Sequence, residues 1–85
     1  MNGQISRNPK LAWREVDGEM VIISPEDSQV HELNETASLV FALCTGEHSD
    51  GRIAELVGLA WELAQPPDAE VRACLAQLRD EGLIR

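Results

Sequence analysis

Eighty-five residues with 15 acidic and seven basic side chains, a net charge of −8, allow one domain and no second core. The field of so acidic a surface repels phosphate backbones and attracts cations or basic partners. The seven basic residues, Arg7, Lys10, Arg14, Arg52, Arg72, Arg79 and Arg85, are spread along the chain and form no cluster for nucleic acid. No apolar run, neither Met20 to Ile23 nor the longer Leu39 to Cys44, is long enough to span a membrane, and the opening MNGQISRNPK has no apolar signal-peptide core. A cytoplasmic protein is expected.

Residues 1–10, polar and containing Gly3 and Pro9, read as a flexible N-terminal arm, and 11–85 as a single domain. Leu11 to Val16 and Glu19 to Ser24 flank Asp17-Gly18, the pairing that a type I′ hairpin turn requires. Leu11 and Trp13 share a face, with Trp13 expected in the core. In the second strand Val21 and Ile23 lie on one side, Met20 and Ile22 on the other, which predicts cover on both sides. Pro25-Glu26-Asp27-Ser28 is a turn cluster, and Gln29 to Leu33 a short third strand.

The apolar period then changes from two to 3.6. Asn34 is placed to cap a helix carrying Ala37, Val40, Phe41 and Cys44, with Gly46 just past its end. Ser49 or Asp50 starts a second helix with Ile53, Leu56, Val57, Ala60, Leu63 and Ala64, stopped by Pro66-Pro67. A third runs from about Asp68 to Glu81 with Val71, Cys74, Leu75 and Leu78 as its stripe, ended by Gly82. Three strands followed by three helices predict a two-layer α+β domain, βββααα, with one sheet face on the helices. Such a sheet has two edges, and a short third strand offers one of them to an added peptide strand.

No catalytic constellation emerges. His31, Cys44, His48 and Cys74 have no metal-ligand spacing, and both cysteines sit on apolar helix faces as reduced core residues. His48-Ser49-Asp50 holds the residue types of a triad, but sequence neighbours cannot form that relay, and a loop with a helix cap accounts for them. There is no phosphate-binding glycine loop. Asn34-Glu35-Thr36 matches a glycosylation acceptor but reads as a cap. His31, on the same side of its strand as Leu33, reads as partly buried and hydrogen-bonded, the alternative being a pH sensor or ligand contact. Trp61, at the margin of its stripe, is equally core or interface. Neither metal nor cofactor is expected.

The hairpin LAWREVDGEMVIISPEDS, the strand-to-helix junction VHELNETASLVFAL, the helix IAELV and the closing EVRACLAQLRDEGLI, in that order and spacing, resemble the PqqD-like family of precursor-peptide recognition elements. The resemblance spans Leu11 to Ile84. It implies a winged-helix-like fold, a three-stranded antiparallel sheet beside three helices. It also implies a non-catalytic module that takes the leader of a ribosomally made precursor peptide as an added strand. Such a module presents the peptide to a radical-SAM protein, a cyclodehydratase or a leader protease. Carried onto this chain, the cleft is formed by Val30, His31, Glu32 and Leu33 of the third strand and by Arg72, Leu75, Ala76 and Arg79 of the third helix. The arginines are then expected to pair acidic leader residues. Family members often open that helix with Asp-Pro, where this chain has Pro67-Asp68. Two competing readings are a winged-helix DNA-binding regulator and a subunit that docks on an enzyme without peptide, including as a homodimer through its own sheet edge.

Overall fold

In the computed structural model, which describes residues 4–26 and 28–85, the order is β1 (Gln4–Ser6), β2 (Ala12–Val16), β3 (Glu19–Ser24), β4 (Gln29–Glu32), α1 (Glu35–Leu43), β5 (Thr45–Ser49), α2 (Asp50–Ala60) and α3 (Asp68–Asp80). Asp17 and Gly18 close the β2–β3 hairpin with φ of 52° and 82°, the left-handed pair a type I′ turn needs. That turn sets the register, Trp13 opposite Ile22, and β4 continues the antiparallel sheet with His31 opposite Ile22. Trp13, Ile22 and His31 therefore share the face turned toward the helices. Asp27 of the expected turn cluster and residues 1–3 of the expected arm lie outside the described residues.

Cover on both sides of β3 is not what the fold provides. Ile22 is fully buried, whereas Ile23 is 46% and its neighbour Val30 60% exposed. The helices pack on the Ile22 side, and among the described residues no helix covers the other. Trp13 is likewise not in the core. It stands at the sheet margin with its ring 5.5 Å from that of Phe41, edge to face. The core proper joins Ile22 and Leu33 to Val40, Phe41 and Cys44 of the α1 region, Ile53 and Val57 of α2, and Val71, Leu75 and Leu78 of α3.

The helix ends follow their chemistry. The side chains of Asn34 and Ser49 accept from the backbone N–H groups of Ala37 and Arg52, capping α1 and α2. At the end of α3 the Gly82 and Leu83 N–H groups donate to Arg79 and Leu78 carbonyls. Gly82 has φ of 77°, which completes the turn that tucks Leu83 and Ile84 into the core. The second helix stops at Ala60, short of the expected Ala64. Glu62 takes a left-handed φ of 55° and the Leu63 N–H returns to the Gly58 carbonyl, so Leu63 and Ala64 are exposed rather than part of the stripe.

A second, two-stranded sheet was not anticipated. Residues 4–6, within the segment expected to be a loose arm, pair as β1 with β5, in the stretch expected to be a loop. Ile5 is buried, Arg7 bridges to Ile84, and the Ser6 and Arg85 backbones exchange hydrogen bonds. The Arg7 guanidinium donates to the Phe41 and Ala42 carbonyls at 3.3 and 2.8 Å and lies 4.9 Å from the centre of the Trp13 ring. A cation there satisfies and electrostatically complements the open carbonyls at the end of α1. Arg7→Ala is expected to lower unfolding free energy by about 1.5–3 kcal/mol in urea titration, with Arg7→Lys recovering only part of it.

Candidate functional site

The free edge of β4 is the centre of the site. The sheet order is β2-β3-β4, so β4 has a partner on one side only among the described residues. Its Leu33 neighbour donates to the Met20 carbonyl at 2.9 Å. Bonded and non-bonded pairs alternate along an antiparallel ladder. The pairs His31–Ile22 and Gln29–Ser24 therefore turn their backbone groups toward β3, while Val30 and Glu32 turn theirs outward. Two sets of unsatisfied N–H and C=O groups thus face the space beside α3.

That space is a cleft of about 130 Å³ lined by Glu32, Leu33, Asn34 and Ala37 on one side and Cys74, Gln77, Leu78 and Glu81 on the other. His31 of β4 places its Nδ1 3.9 Å from a carboxylate oxygen of Glu81, which lines the cleft, and its side chain is mostly buried.

The strand residues singled out from the sequence, Val30, His31, Glu32 and Leu33, are thus together at this edge. The helix residues are not. Leu75 is buried in the core, Ala76 is exposed to solvent, and Arg72 and Arg79 line a separate depression with Ile5, Asp50 and Leu75. Arg72 Nε lies 3.7 Å from an Asp50 carboxylate oxygen of α2. The stripe 72, 75, 76, 79 and the stripe 74, 77, 78, 81 have the same i, i+3, i+4, i+7 spacing. They share the buried line Val71, Leu75 and Leu78 along their adjoining edges and otherwise run down opposite flanks of the helix, and it is the second that lines the cleft with Glu32 and Leu33. Helical spacing names a stripe but not which neighbour it meets.

Ser38, which the sequence did not single out, anchors the end of the strand that carries the site. Its buried Oγ accepts from the Met20 N–H at 2.7 Å and donates to the Leu33 carbonyl at 3.1 Å. One hydroxyl thus joins β3, the end of β4 and α1. A serine two positions after Thr36 in an otherwise apolar helix was the only sequence signal. Ser38→Ala leaves two buried backbone groups without their partner, and a loss of about 1–3 kcal/mol is expected in thermal or urea unfolding.

Neither cysteine is activated. Burial pushes the Cys44 thiol up to about 12, Arg7 pulling weakly the other way, and the thiol donates to the Val40 carbonyl at 3.2 Å. Burial also raises Cys74. Both are free thiols, Cys74 as a soft apolar wall of the cleft. Above its ordinary value of 9.0 the unfolded chain releases the Cys44 proton that the folded chain keeps. Stability contributed by this group is therefore fully present below pH 9.0 and is lost as pH climbs toward about 12. Urea midpoints should be level with respect to this group below that window and fall within it, with a shallower fall in Cys44→Ala.

His48 and Ser49 lie in β5 and at the α2 cap, and Ser49 Oγ is engaged by the Arg52 N–H. Among the described residues no three His, Cys, Asp or Glu side chains come together as a metal site, and no helix is long and apolar enough to cross a membrane. Arg52, the sole basic residue of α2, is paired with Glu55 at 3.1 Å, which leaves that helix without the cationic face a duplex requires.

Comparison with known proteins bears on this geometry. The family model described as Coenzyme PQQ synthesis protein D (PqqD) matches residues 19–84, from β3 to the closing Ile84. The PqqA binding protein of Methylococcus capsulatus (strain ATCC 33009 / NCIMB 11132 / Bath) is 32% identical over 76 residues, 89% of this chain and 78% of the relative. Among solved structures, TbiB1 in complex with the TbiA(beta) leader peptide superposes with a TM-score of 0.78 at 16% identity, covering 94% of both chains. Lasso peptide synthetase B1 complexed with the leader peptide gives 0.78 at 20% identity, covering 96% of this chain and 98% of that one. The heterocyclase TruD contains the same fold, TM-score 0.71 at 14% identity, in 11% of its own length.

Proposed function

Because the chain belongs to the PqqD family, we propose that it is a leader-peptide-binding module that holds a ribosomally made precursor by strand addition on β4. The observation that carries this reading is the unpaired β4 edge beside a cleft walled by α3. The outward N–H and C=O groups of Val30 and Glu32 pair with the peptide backbone and supply affinity tolerant of sequence. Alternate leader side chains enter the cleft and meet Leu33, Ala37, Cys74 and Leu78, where burial of apolar surface selects the anchors. The helix wall is therefore the stripe Cys74, Gln77, Leu78 and Glu81, and Arg72, Leu75, Ala76 and Arg79 take no part in it.

The same side chains explain why the module need do no covalent chemistry. Affinity and register suffice to raise the local concentration of a precursor at an enzyme, and tethering makes the later encounter effectively intramolecular. A radical-SAM protein, a cyclodehydratase or a leader protease is the recipient. The presence of this fold within a heterocyclase supports a cyclisation enzyme as one member of that set. The cytoplasm, where precursor peptides are made, is the compartment in which this role is carried out.

Val30→Pro is the direct test. Proline removes an outward N–H that β3 does not use, and edge strands tolerate it. In titrations with leader segments of short precursors encoded beside the gene, wild-type amide resonances of Val30 and Glu32 should shift most. Val30→Pro should bind at least about tenfold more weakly with an unchanged melting profile, since one backbone bond and its register are lost. Equal binding by the variant would remove strand addition from consideration.

A further inference from the structure

The charge of the cleft is opposite to what the arginines of α3 suggested. Arg72 and Arg79 lie on the far flank of the helix with Ile5 and Asp50. The stripe toward β4 contains Glu81 and Gln77, and Glu70 continues it one turn earlier at the same helical spacing. On the strand side, Glu32 lines the cleft mouth and its carboxylate has no ion-pair partner among the described residues. No Lys or Arg lines the cleft. Among the described residues His31 is the one basic side chain found in ion-pair contact with Glu81.

Four of the seven basic residues are engaged elsewhere. Arg7 serves the end of α1, Lys10 pairs with Glu26 at 3.1 Å, Arg52 with Glu55 and Arg72 with Asp50. Arg14 shares the outer sheet face with Glu32 but sits on β2 with Val21 between them. Two inter-strand spacings, roughly 10 Å, separate them, about one screening length at physiological salt. The net charge of −8 adds a long-range field of the same sign.

We infer that the cleft selects a basic leader segment, with apolar residues entering between Leu33, Ala37, Cys74 and Leu78 and Lys or Arg on the positions that meet Glu32 and Glu81. This rests on the strand-addition reading and names the class of peptide it takes. The two carboxylates act on different faces of the added strand. By strand alternation Glu32 lies on the outer face with Val30, so it meets a cross-strand neighbour that points away from α3. Glu81 stands over the inner face beside His31 and meets a side chain leaving the cleft. Acidic residues at either position face a carboxylate of like charge. The selected pattern is therefore amphipathic with period two, apolar inward and basic at the two flanking positions.

The test is selection of a displayed library of random short peptides on the full chain, followed by amide NMR of the complexes. Peptides that shift Val30 and Glu32 amides should be enriched in Lys and Arg. Their affinity should drop about tenfold in the double variant Glu32→Lys/Glu81→Lys, which should select acidic peptides instead, and by a smaller factor in Glu32→Gln/Glu81→Gln. Both positions are exposed, and melting curves identify any variant that fails to fold. Peptides that shift the same amides without an excess of basic residues, or that bind the reversed chain equally well, overturn the charge rule and leave strand addition standing. If no selected peptide reaches those amides, strand addition itself fails, and the charge rule with it.

Discussion

The strand-to-helix junction at Leu33–Ser38 governs the arrangement of everything around it. Ser38 Oγ is bonded to the Met20 N–H and the Leu33 carbonyl, the Leu33 N–H to the Met20 carbonyl, and the Ser38 N–H to the Asn34 carbonyl. These bonds stop β4 at Glu32 and start α1 at Glu35 within two residues. They also hold the sheet at a defined distance from the helices. Buried polar groups are costly unless bonded, and this junction satisfies both of its strand partners with one hydroxyl. Because it anchors the end of β4, it also decides which backbone groups of that strand look inward.

Strand parity then divides the work. Residues bonded to β3 hold the sheet together, and those between them, Val30 and Glu32, are left facing outward. An open edge is a liability in a small sheet, usually blunted by charge, shortness or cover. Here β4 is short, bears Glu32 and stands beside α3, so the edge is open to a single narrow strand lying in the cleft but poorly shaped for broad edge-to-edge pairing. The outer sheet face, with Val16, Ile23 and Val30 exposed, follows from the same economy of elements. Three helices on one side leave none for the other.

The distribution of cations is equally consequential. Arg7 and Arg72 serve a helix end and a contact between helices, and the cleft between β4 and α3 is lined by Glu32 and Glu81 with no Lys or Arg. Arg7 is the clearest case, since it lies between Trp13, Phe41 and the open carbonyls of α1. It belongs to a segment whose composition suggested an arm, yet it ties the N-terminal strand to the core.

Local chemistry made much of this legible. The Asp17-Gly18 turn, the Asn34 and Ser49 caps, the Gly82 stop and the three apolar stripes each depend on a few neighbouring residues, and the sequence by itself determined the hairpin and the three helices. Tertiary structure decided what depends on partners distant in the chain. The strands Gln4–Ser6 and Thr45–Ser49 have little intrinsic β character and exist because each pairs with the other. Which side of β3 is covered, and which flank of α3 borders β4, turn on how the helices dock, and a periodic stripe is silent about its neighbour. The two flanks of α3 differ by less than half a turn, yet one carries Arg72 and Arg79 and the other Gln77 and Glu81, so docking alone set the charge of the cleft.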